Sequence, residues 1–91
     1  MYAQRRDANE AEIIAVLTFA GCYCIQMDKS AGFDLLVIKD DDMYVMEIKA
    51  PGKESDLTAS ERARLEGIVM IGGGNYWVVS SAEQALNIIG R

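Results

Sequence analysis

The feature that most constrains the fold is a run of four apolar residues, Leu35 to Ile38. A strand points successive side chains to opposite faces, so this run places apolar groups on both faces of a sheet. Strands of this kind occur inside sheets whose faces are covered by helices. We therefore predict a second strand from Phe33 to Lys39 in the interior of an α/β sheet.

A β-hairpin is predicted directly after this run. Three aspartates, Asp40 to Asp42, form a polar turn, and Met43 to Lys49 has the composition of a returning third strand. Pro51 ends this strand because proline has no N–H group to donate to the ladder. The aspartates lack the ligand spacing and the closing glutamate of an EF-hand, so we interpret them as a solvated hairpin tip rather than a calcium site.

A first helix is predicted before the sheet. Asp7 and Glu10 have the spacing of a capping box, and Gly21 ends the helical pattern. Between them, the apolar residues that recur at helical intervals are Ile13, Ile14, Val16, Leu17 and Ala20. At about 100° per residue, Glu10 projects close to this apolar stripe, which is unusual for an acid on a surface helix.

Two further strand-like segments extend the sheet. Cys22 to Met27 predicts the first strand, and Tyr76 to Val79 predicts the fourth. The glycine triplet at positions 72–74 precedes a strand and lacks the common phosphate-loop patterns, so we interpret it as a turn. The element order α-β-β-β-α-β-α predicts a four-stranded mixed sheet flanked by helices, in a single domain of residues 1–91.

Two further helices begin at capping residues. Thr58, with Glu61 three positions later, predicts the start of a second helix that runs to about Met70. Ser81 predicts the start of a last helix. The residues that we expect to face the core are Leu65, Ile68 and Val69 in the second helix and Ala85, Leu86, Ile88 and Ile89 in the last.

The residue types exclude several classes of site. The 91 residues include no histidine, which removes Ser-His-Asp and Cys-His nucleophiles and every zinc site that needs imidazole. The two cysteines, Cys22 and Cys24, are too few for a four-cysteine zinc site or a disulfide framework. We interpret them as reduced packing residues.

Net charge and hydropathy restrict the partners and the compartment that we expect for this protein. A net charge of −5 argues against a coat protein held on nucleic acid by bulk charge, but it leaves room for basic patches and for metal-neutralised carboxylates. No apolar run approaches the roughly 20 residues needed to span a bilayer. The segment that begins the sequence, MYAQRRDANE, lacks the apolar stretch of a signal peptide. We expect a soluble, cytoplasmic protein that does not enter a membrane.

Charged residues at the base of the predicted hairpin form the candidate site. Glu47 and Lys49 are two residues apart and share a face of the third strand, and the turn places Asp34 nearly opposite them. Glu10 can approach from the first helix. Grouped carboxylates suit Mg²⁺ or Mn²⁺, which can polarise a phosphate and activate water. The chemistry that fits is phosphodiester hydrolysis, with Lys49 positioning or deprotonating the water or stabilising developing charge.

Each of these residues also has an ordinary structural interpretation. An E-x-K pair on a strand is commonly a solvated ion pair, Asp34 alone can be a turn residue, and Glu10 alone can be a capping partner. Their coincidence beside apolar neighbours favours the functional interpretation, because such charges are costly to bury without a compensating partner.

The same residues resemble a known family of nucleases. The stretch Gly32 to Val37 (GFDLLV), followed by Met46 to Gly52 (MEIKAPG), resembles the core of the PD-(D/E)XK nuclease superfamily. More narrowly it resembles the VRR-NUC family, whose pattern is G-x-P-D-L-L, then E-x-K-A-P-G, then a capped helix. Trp77 to Ser81 and Glu83 to Leu86 are similar to the family's last strand and helix.

This resemblance implies a role for each residue of the candidate site. Asp34 and Glu47 would bind the metal ion, with the backbone carbonyl of Ile48 as a further ligand. Lys49 would be the catalytic lysine. Glu10 would be the acid from the first helix that completes the metal site.

Two positions depart from the family pattern. Phe33 stands where the family usually has proline, and we expect it to point away from the metal ion and to alter only the turn. Glu61 stands where many members have a glutamine that supports the site or the substrate. If Glu61 faces the cleft, its charge would either raise metal affinity or repel DNA.

The resemblance also implies a DNA substrate and a partner copy. Stand-alone VRR-NUC domains resemble junction-resolving enzymes, and paired cuts across a four-way junction need two active sites, which a homodimer supplies. We therefore predict a homodimeric endonuclease that acts on branched DNA, such as a Holliday junction, and selects it by shape. Basic residues that could contact phosphates are Arg5, Arg6, Lys29, Lys53, Arg62 and Arg64.

Two alternatives remain open at this point. One is a non-catalytic module that keeps the nuclease fold and binds nucleic acid or protein. The other is a nuclease that acts on flap or single-stranded DNA.

Overall fold

The computed structural model describes residues 8–90, apart from the side chains of Ala8 and Lys29, and this range contains three helices and a four-stranded sheet. A short 3₁₀ turn (Lys29–Ala31) precedes the second strand, and a π-helical segment (Gly67–Ile71) follows the second helix. The helices are α1 (Ala8–Phe19), α2 (Ala59–Glu66) and α3 (Ala82–Ile88), and the strands are β1 (Tyr23–Gln26), β2 (Leu35–Lys39), β3 (Asp42–Ile48) and β4 (Tyr76–Val79).

The four strands are ordered β1-β2-β3-β4 in one mixed sheet. The first three are antiparallel neighbours, and β4 pairs parallel with β3 because the chain crosses back through α2 before it. The predicted α/β class, the four-stranded mixed sheet and the interior position of β2 are therefore confirmed. Between residues 8 and 90, no helix combines the length and apolar character that crossing a bilayer requires.

Helices α1 and α3 cover one face of the sheet. Ile13 and Leu17 of α1 have no exposed surface, and Ala85 and Ile89 at the α3 end are buried beside them. These side chains pack on the strand residues that point to the same face, which are Leu35, Val37, Met46, Ile48 and Val79. The inward positions that helical periodicity predicts are confirmed at these four helix-side residues.

The opposite face of the sheet is less completely covered. Leu36, Ile38 and Val45 point to it and are only half-buried, whereas Tyr76 and Glu47 are buried there. Of the apolar run Leu35 to Ile38, the side chains that point toward α1 and α3 are fully buried, and those on the opposite face are half-buried. This half-covered side of the sheet is also the side on which the charged residues gather.

The hairpin between β2 and β3 has a two-residue turn. Lys39 pairs with Asp42, so only Asp40 and Asp41 form the turn, and the prediction that Asp42 belongs to it is wrong. Asp40 has a φ of 56°, a left-handed conformation that tight hairpins require and that aspartate tolerates better than most residues. This turn fixes the register of the whole hairpin.

Both charged ends of the hairpin lie just outside the strands. β2 begins at Leu35, two residues later than predicted, because Gly32 has a positive φ and the Asp34 side chain bonds to the β3 backbone. β3 ends at Ile48, so Lys49 follows the strand instead of closing it. The carbonyl of Lys49 accepts a hydrogen bond from a side chain of α1 rather than from a neighbouring strand.

β1 is shorter than predicted at both ends. Cys22 donates its N–H to the carbonyl of Leu17 and so closes α1, and Met27 donates its N–H to the carbonyl of Asp34. Cys22 is buried, Cys24 packs against the core, and both are free thiols. Burial raises the pKa of both thiols, which fits packing residues better than reactive ones.

The second helix changes its winding before it ends. It continues from α2 into the π-helical segment Gly67–Ile71, in which the N–H of Gly72 donates to the carbonyl five residues earlier. The wider turn rotates later side chains away from the positions that a 3.6-residue period predicts. Leu65 and Ile68 are half-buried, but Val69 is 42% exposed, so the prediction that Val69 faces inward is wrong.

The predicted caps of α2 and α3 are confirmed. The hydroxyl of Thr58 accepts from the N–H of Glu61, and the Glu61 carboxylate accepts from the N–H of Thr58. The hydroxyl of Ser81 accepts from the N–H of Gln84. Asp7, the predicted cap of α1, lies outside the described residues.

Leu35→Ala and Leu36→Ala test the assignment of the two faces. Both remove the same atoms at adjacent positions of β2, but Leu35 is fully buried and Leu36 is half-buried on the opposite face. We expect the free energy of unfolding to fall by about 3 kcal/mol for Leu35→Ala and by about 1 kcal/mol for Leu36→Ala. Urea unfolding followed by circular dichroism measures both. Equal losses would contradict the assignment.

Candidate functional site

The base of the hairpin brings two acidic residues to adjacent positions. Leu35 pairs with Met46, and the same register continued by one residue places Asp34 opposite Glu47. Both acidic side chains project from the face opposite to α1 and α3, because each is next to a residue that points into the core. This end of the sheet lies away from the hairpin tip.

Asp34 is held in place by three hydrogen bonds. Its N–H donates to the carbonyl of Met46 at 3.1 Å, and its carbonyl accepts from the N–H of Met27 at 2.9 Å. Its carboxylate oxygen Oδ2 accepts from the N–H of Ile48 at 2.7 Å, a charge-assisted bond. Phe33 is half-buried in the bend before it. The carboxylate of Asp34 therefore has a fixed orientation.

Glu47 is a buried carboxyl group in a crowded environment. Only 3% of the residue is exposed, and the Nζ atom of Lys49 lies 3.6 Å from its Oε2. The pKa of Glu47 is raised to about 9, chiefly by burial; the charge of Asp34 and the hydrogen bond and charge of Glu61 contribute to this rise, and Lys49 opposes it. Without further positive charge, Glu47 is therefore protonated at neutral pH.

Lys49 is bound more closely to Glu61 than to Glu47. Its Nζ atom lies 3.0 Å from Oε1 of Glu61 and 3.6 Å from Oε2 of Glu47. Burial acts to lower the pKa of Lys49, but the hydrogen bond and charge of Glu61 and the charge of Glu47 raise it above its ordinary value. Lys49 is therefore a cation at neutral pH.

Glu61 faces the site and bonds to Glu47, Lys49 and Thr58. Its Oε1 accepts both from Lys49 and from the N–H of Thr58, at 2.9 Å, which caps α2. Burial acts to raise the pKa of Glu61, but the Thr58 N–H and Lys49 lower it below its ordinary value. Glu61 and Glu47 thus place two carboxyl groups beside one ammonium group, and Asp34 lies opposite Glu47.

Glu10 lies at the same end of the sheet, on the side covered by α1. It is 3% exposed, in agreement with its predicted position near the apolar stripe, and its Oε2 accepts from Nε2 of Gln26 at 3.2 Å. Gln26 ends β1 and pairs with Leu35, one residue from Asp34. The role of Glu10 as a metal ligand stays a prediction.

The site suits a divalent cation held by two carboxylates. In the described range, 8–90, no three acidic or cysteine side chains form a group that could hold a metal ion by themselves. Asp34 and Glu47 nevertheless provide hard oxygen ligands in one place, and Mg²⁺ commonly binds through one or two carboxylates, with water and substrate phosphate as further ligands. A divalent cation also supplies the positive charge that this group of acids lacks. The donor set fits Mg²⁺ or Mn²⁺, and the Ile48 carbonyl stays a predicted further ligand.

The basic residues that could contact DNA lie in several segments. Arg62 and Arg64 are exposed residues of α2, and Lys53 is exposed in the loop before it. Lys29 belongs to the 3₁₀ turn, and its side chain is not among those described. Arg5 and Arg6 lie outside the described residues.

Two residues that contact the site have no signature in the sequence. Tyr76 of β4 is buried, and its hydroxyl donates to the carbonyl of Gly32 at 3.2 Å. Asn9 of α1 donates to the carbonyls of Lys49, at 3.1 Å, and Ser80, at 2.8 Å. In the sequence, Tyr76 is visible only as a tyrosine at the start of a strand, and Asn9 only as an amide side chain next to Glu10. Neither identifies a partner, because these contacts depend on how distant segments pack.

Comparison with known proteins finds no match among protein-family models, curated proteins or solved structures. The resemblance to the VRR-NUC family therefore rests on the motifs alone. The interpretation of the site depends on its geometry and charge.

Glu47→Gln tests whether the buried Glu47 carboxyl group has a raised pKa, because such a group makes the free energy of unfolding depend on pH. The pKa of Glu47 is about 9 in the folded chain, against an ordinary value of 4.5, so the folded state binds a proton that the unfolded state loses. Without divalent cations, the wild type should therefore lose stability as the pH rises from about 5 to about 9, by at most about 1.4 kcal/mol per pH unit.

We expect Glu47→Gln to flatten this pH dependence, because the amide carries no ionisable proton. The matched control is Glu83→Gln, which changes an exposed glutamate of α3 and should retain the wild-type dependence. Urea unfolding in EDTA across the pH range measures all three chains. Parallel curves for the wild type and Glu47→Gln would contradict the assignment of this proton.

Proposed function

We propose that this protein is a metal-dependent endonuclease that hydrolyses phosphodiester bonds in DNA, with a PD-(D/E)XK fold of the VRR-NUC type. The observation that carries the proposal is the placement of Asp34 opposite Glu47, with the Nζ atom of Lys49 3.6 Å from Glu47. Two carboxylates and an ammonium group in one place are what metal-assisted phosphate chemistry requires. The resemblance of the motifs, which extends over nearly the whole chain, supports the same proposal.

The acidic residues have the role of metal ligands in this proposal. Asp34 and Glu47 would hold Mg²⁺ or Mn²⁺, and the Ile48 carbonyl would provide a further ligand. Glu10 lies on the α1 side of the sheet, and among the described residues it does not form a metal-holding group with these two acids. When bound, the metal ion supplies a Lewis acid that polarises the phosphate and lowers the pKa of a coordinated water molecule. The N–H of Ile48 keeps the Asp34 carboxylate in one orientation.

Lys49 has the role of a cation rather than that of a base. Burial acts to lower its pKa, but Glu61 and Glu47 raise it, so the side chain keeps its proton at neutral pH. It can therefore donate hydrogen bonds to the attacking water or to a phosphate oxygen, and stabilise the negative charge that develops there. Glu61 holds the Nζ atom at 3.0 Å and so limits its positions.

Branched DNA is the substrate that we propose. With a net charge of −5, attraction to phosphates must come from local basic groups. Arg62, Arg64 and Lys53 are exposed on and before α2, the helix that also carries Glu61 to the site. Contacts of this kind position the DNA without reading its bases, so selection would depend on the shape of the substrate.

A homodimer would supply the two active sites that paired cuts across a four-way junction need. Large apolar side chains that are at least 42% exposed occur in several elements of the described chain, and a second copy could cover some of them. These residues are Phe19, Tyr23, Met43, Val69, Met70, Ile71 and Trp77.

A non-catalytic binding module is the second candidate. Two observations favour it: no three ligand side chains are grouped for a metal ion in the described residues, and Glu61 already pairs with Lys49 at 3.0 Å. Such a module would keep the fold and bind nucleic acid or protein without cleaving it. A nuclease that acts on flap or single-stranded DNA would use the same site as the junction enzyme.

Lys49→Ala distinguishes the enzyme from the binding module. We expect it to lower the rate of nicking of junction DNA by at least about 100-fold in Mg²⁺ or Mn²⁺, because a positioned cation is lost. The matched control is Lys39→Ala near the hairpin tip, which should stay within about twofold of the wild type because it lies away from the site. Gel assays measure the rates, and circular dichroism checks the fold.

The same assays include a four-way junction, a flap, a single strand and a plain duplex, each with and without EDTA. EDTA should abolish cleavage. Equal cleavage by the wild type and Lys49→Ala, or no metal-dependent cleavage of any substrate, would favour the binding module. Preferred cleavage of the flap or the single strand would replace the junction as the substrate.

The oligomeric state tests the junction-resolving mode. Analytical ultracentrifugation at the assay concentration should give about twice the 10.0 kDa mass of one chain. A monomer that still makes paired cuts in a junction would contradict this part of the proposal and leave the chemistry of the site unaffected.

A further inference from the structure

Tyr76 connects β4 to the segment that leads into Asp34. The residue is 7% exposed, and its hydroxyl donates a hydrogen bond to the carbonyl of Gly32 at 3.2 Å. Gly32 is itself buried. Removing the hydroxyl would therefore leave a buried carbonyl without this partner, which is unfavourable.

Gly32 is also confined from the side of α2. Its φ is +81°, a conformation that other residues adopt only with strain. A Cβ atom at this position would lie 3.0 Å from Nε and 3.1 Å from Cβ of Arg64. The segment before Asp34 is thus held between Tyr76 on β4 and Arg64 on α2.

Tyr76 lies among the charged groups of the candidate site. Burial raises the pKa of its hydroxyl, and the negative charges of Glu47, Glu61 and Asp34 raise it further, whereas Arg64 opposes them. The hydroxyl therefore keeps its proton at neutral pH and is available as a hydrogen-bond donor. Its bond to Gly32 is made at the edge of the acidic group rather than in a remote part of the core.

We propose that Tyr76 is a positioning residue, whose hydrogen bond to Gly32 fixes the segment that places the Asp34 carboxylate against the N–H of Ile48. Gly32 precedes Asp34 by two residues, so a shift of the Gly32 peptide is transmitted to the carboxylate. The 2.7 Å bond from Ile48 to Asp34 is the direct reporter of that position. The inference deepens the proposed function and rests on it for its effect on catalysis.

Tyr76→Phe removes the hydroxyl and keeps the ring. The matched control is Tyr44→Phe, which removes a hydroxyl from a tyrosine that packs against the core on the other face of the sheet. Three quantities are measured on the full chain: hydrogen exchange of the Ile48 amide without metal, Mn²⁺ affinity by calorimetry, and kcat and KM for junction cleavage.

We expect Tyr76→Phe to speed exchange of the Ile48 amide about tenfold relative to the Ala85 amide of α3, and to weaken Mn²⁺ binding about tenfold. The value of kcat should fall, while KM for DNA stays unchanged, because Asp34 does not hold the DNA. Tyr44→Phe should stay within about twofold of the wild type in each measurement.

Tyr76→4-aminophenylalanine restores an N–H donor at the same place on the ring. It should return the Ile48 exchange rate and the Mn²⁺ affinity toward wild-type values, and it provides a folded chain if Tyr76→Phe does not fold. Unchanged Ile48 exchange and Mn²⁺ affinity in folded Tyr76→Phe would overturn the inference. Failure of the donor-containing variant to restore either quantity would also overturn it.

The two proposals fail in different ways. A wild-type chain that neither binds Mn²⁺ nor cleaves DNA would overturn the proposed function, and the Ile48 exchange rate would then decide the role of Tyr76 by itself. A wild-type chain that binds and cleaves, together with an unaffected Tyr76→Phe, would overturn only the positioning role.

Discussion

The candidate site at the base of the hairpin contains more carboxyl groups than positive charges, and the rest of its chemistry depends on this excess. Glu47 and Glu61 contact the ammonium group of Lys49, and Asp34 lies opposite Glu47, so three carboxyl groups gather near one lysine in a half-buried place. Such a group is costly unless one carboxyl group keeps its proton or a cation enters. In the chain alone, burial and the neighbouring acids raise the pKa of Glu47 to about 9, so the proton is kept. The same imbalance is the physical reason for the proposed divalent cation.

Features that depend on residues close together in the sequence could be predicted. The caps at Thr58 and Ser81 and the hairpin are of this kind, because their hydrogen bonds join residues a few positions apart. The turn is one residue shorter than predicted, yet this error changes the register too little to separate Asp34 from Glu47. The buried position of Glu10 also follows from helical periodicity alone.

Contacts between distant segments could not be predicted in the same way. Glu61 was recognisable as a capping residue, but its bond to Lys49 depends on where α2 lies relative to β3. The bond from Tyr76 to Gly32 likewise depends on how β4 and the loop before β2 meet. Val69 is exposed because a π-helical turn replaces the regular period, and no local pattern in the sequence specifies that change.

The Oε1 atom of Glu61 accepts hydrogen bonds from both Lys49 and the N-cap of α2, so the lysine of the site is linked to the helix that has the least buried surface. α2 has eight residues and none of them is buried, so its first turn can open while the sheet remains intact. Each such opening releases the Glu61 carboxylate from Thr58 and loosens its hold on Lys49. On warming, the arrangement of charges at the site would therefore be lost well before the strands separate, and the temperature range of function would be narrower than that of the fold.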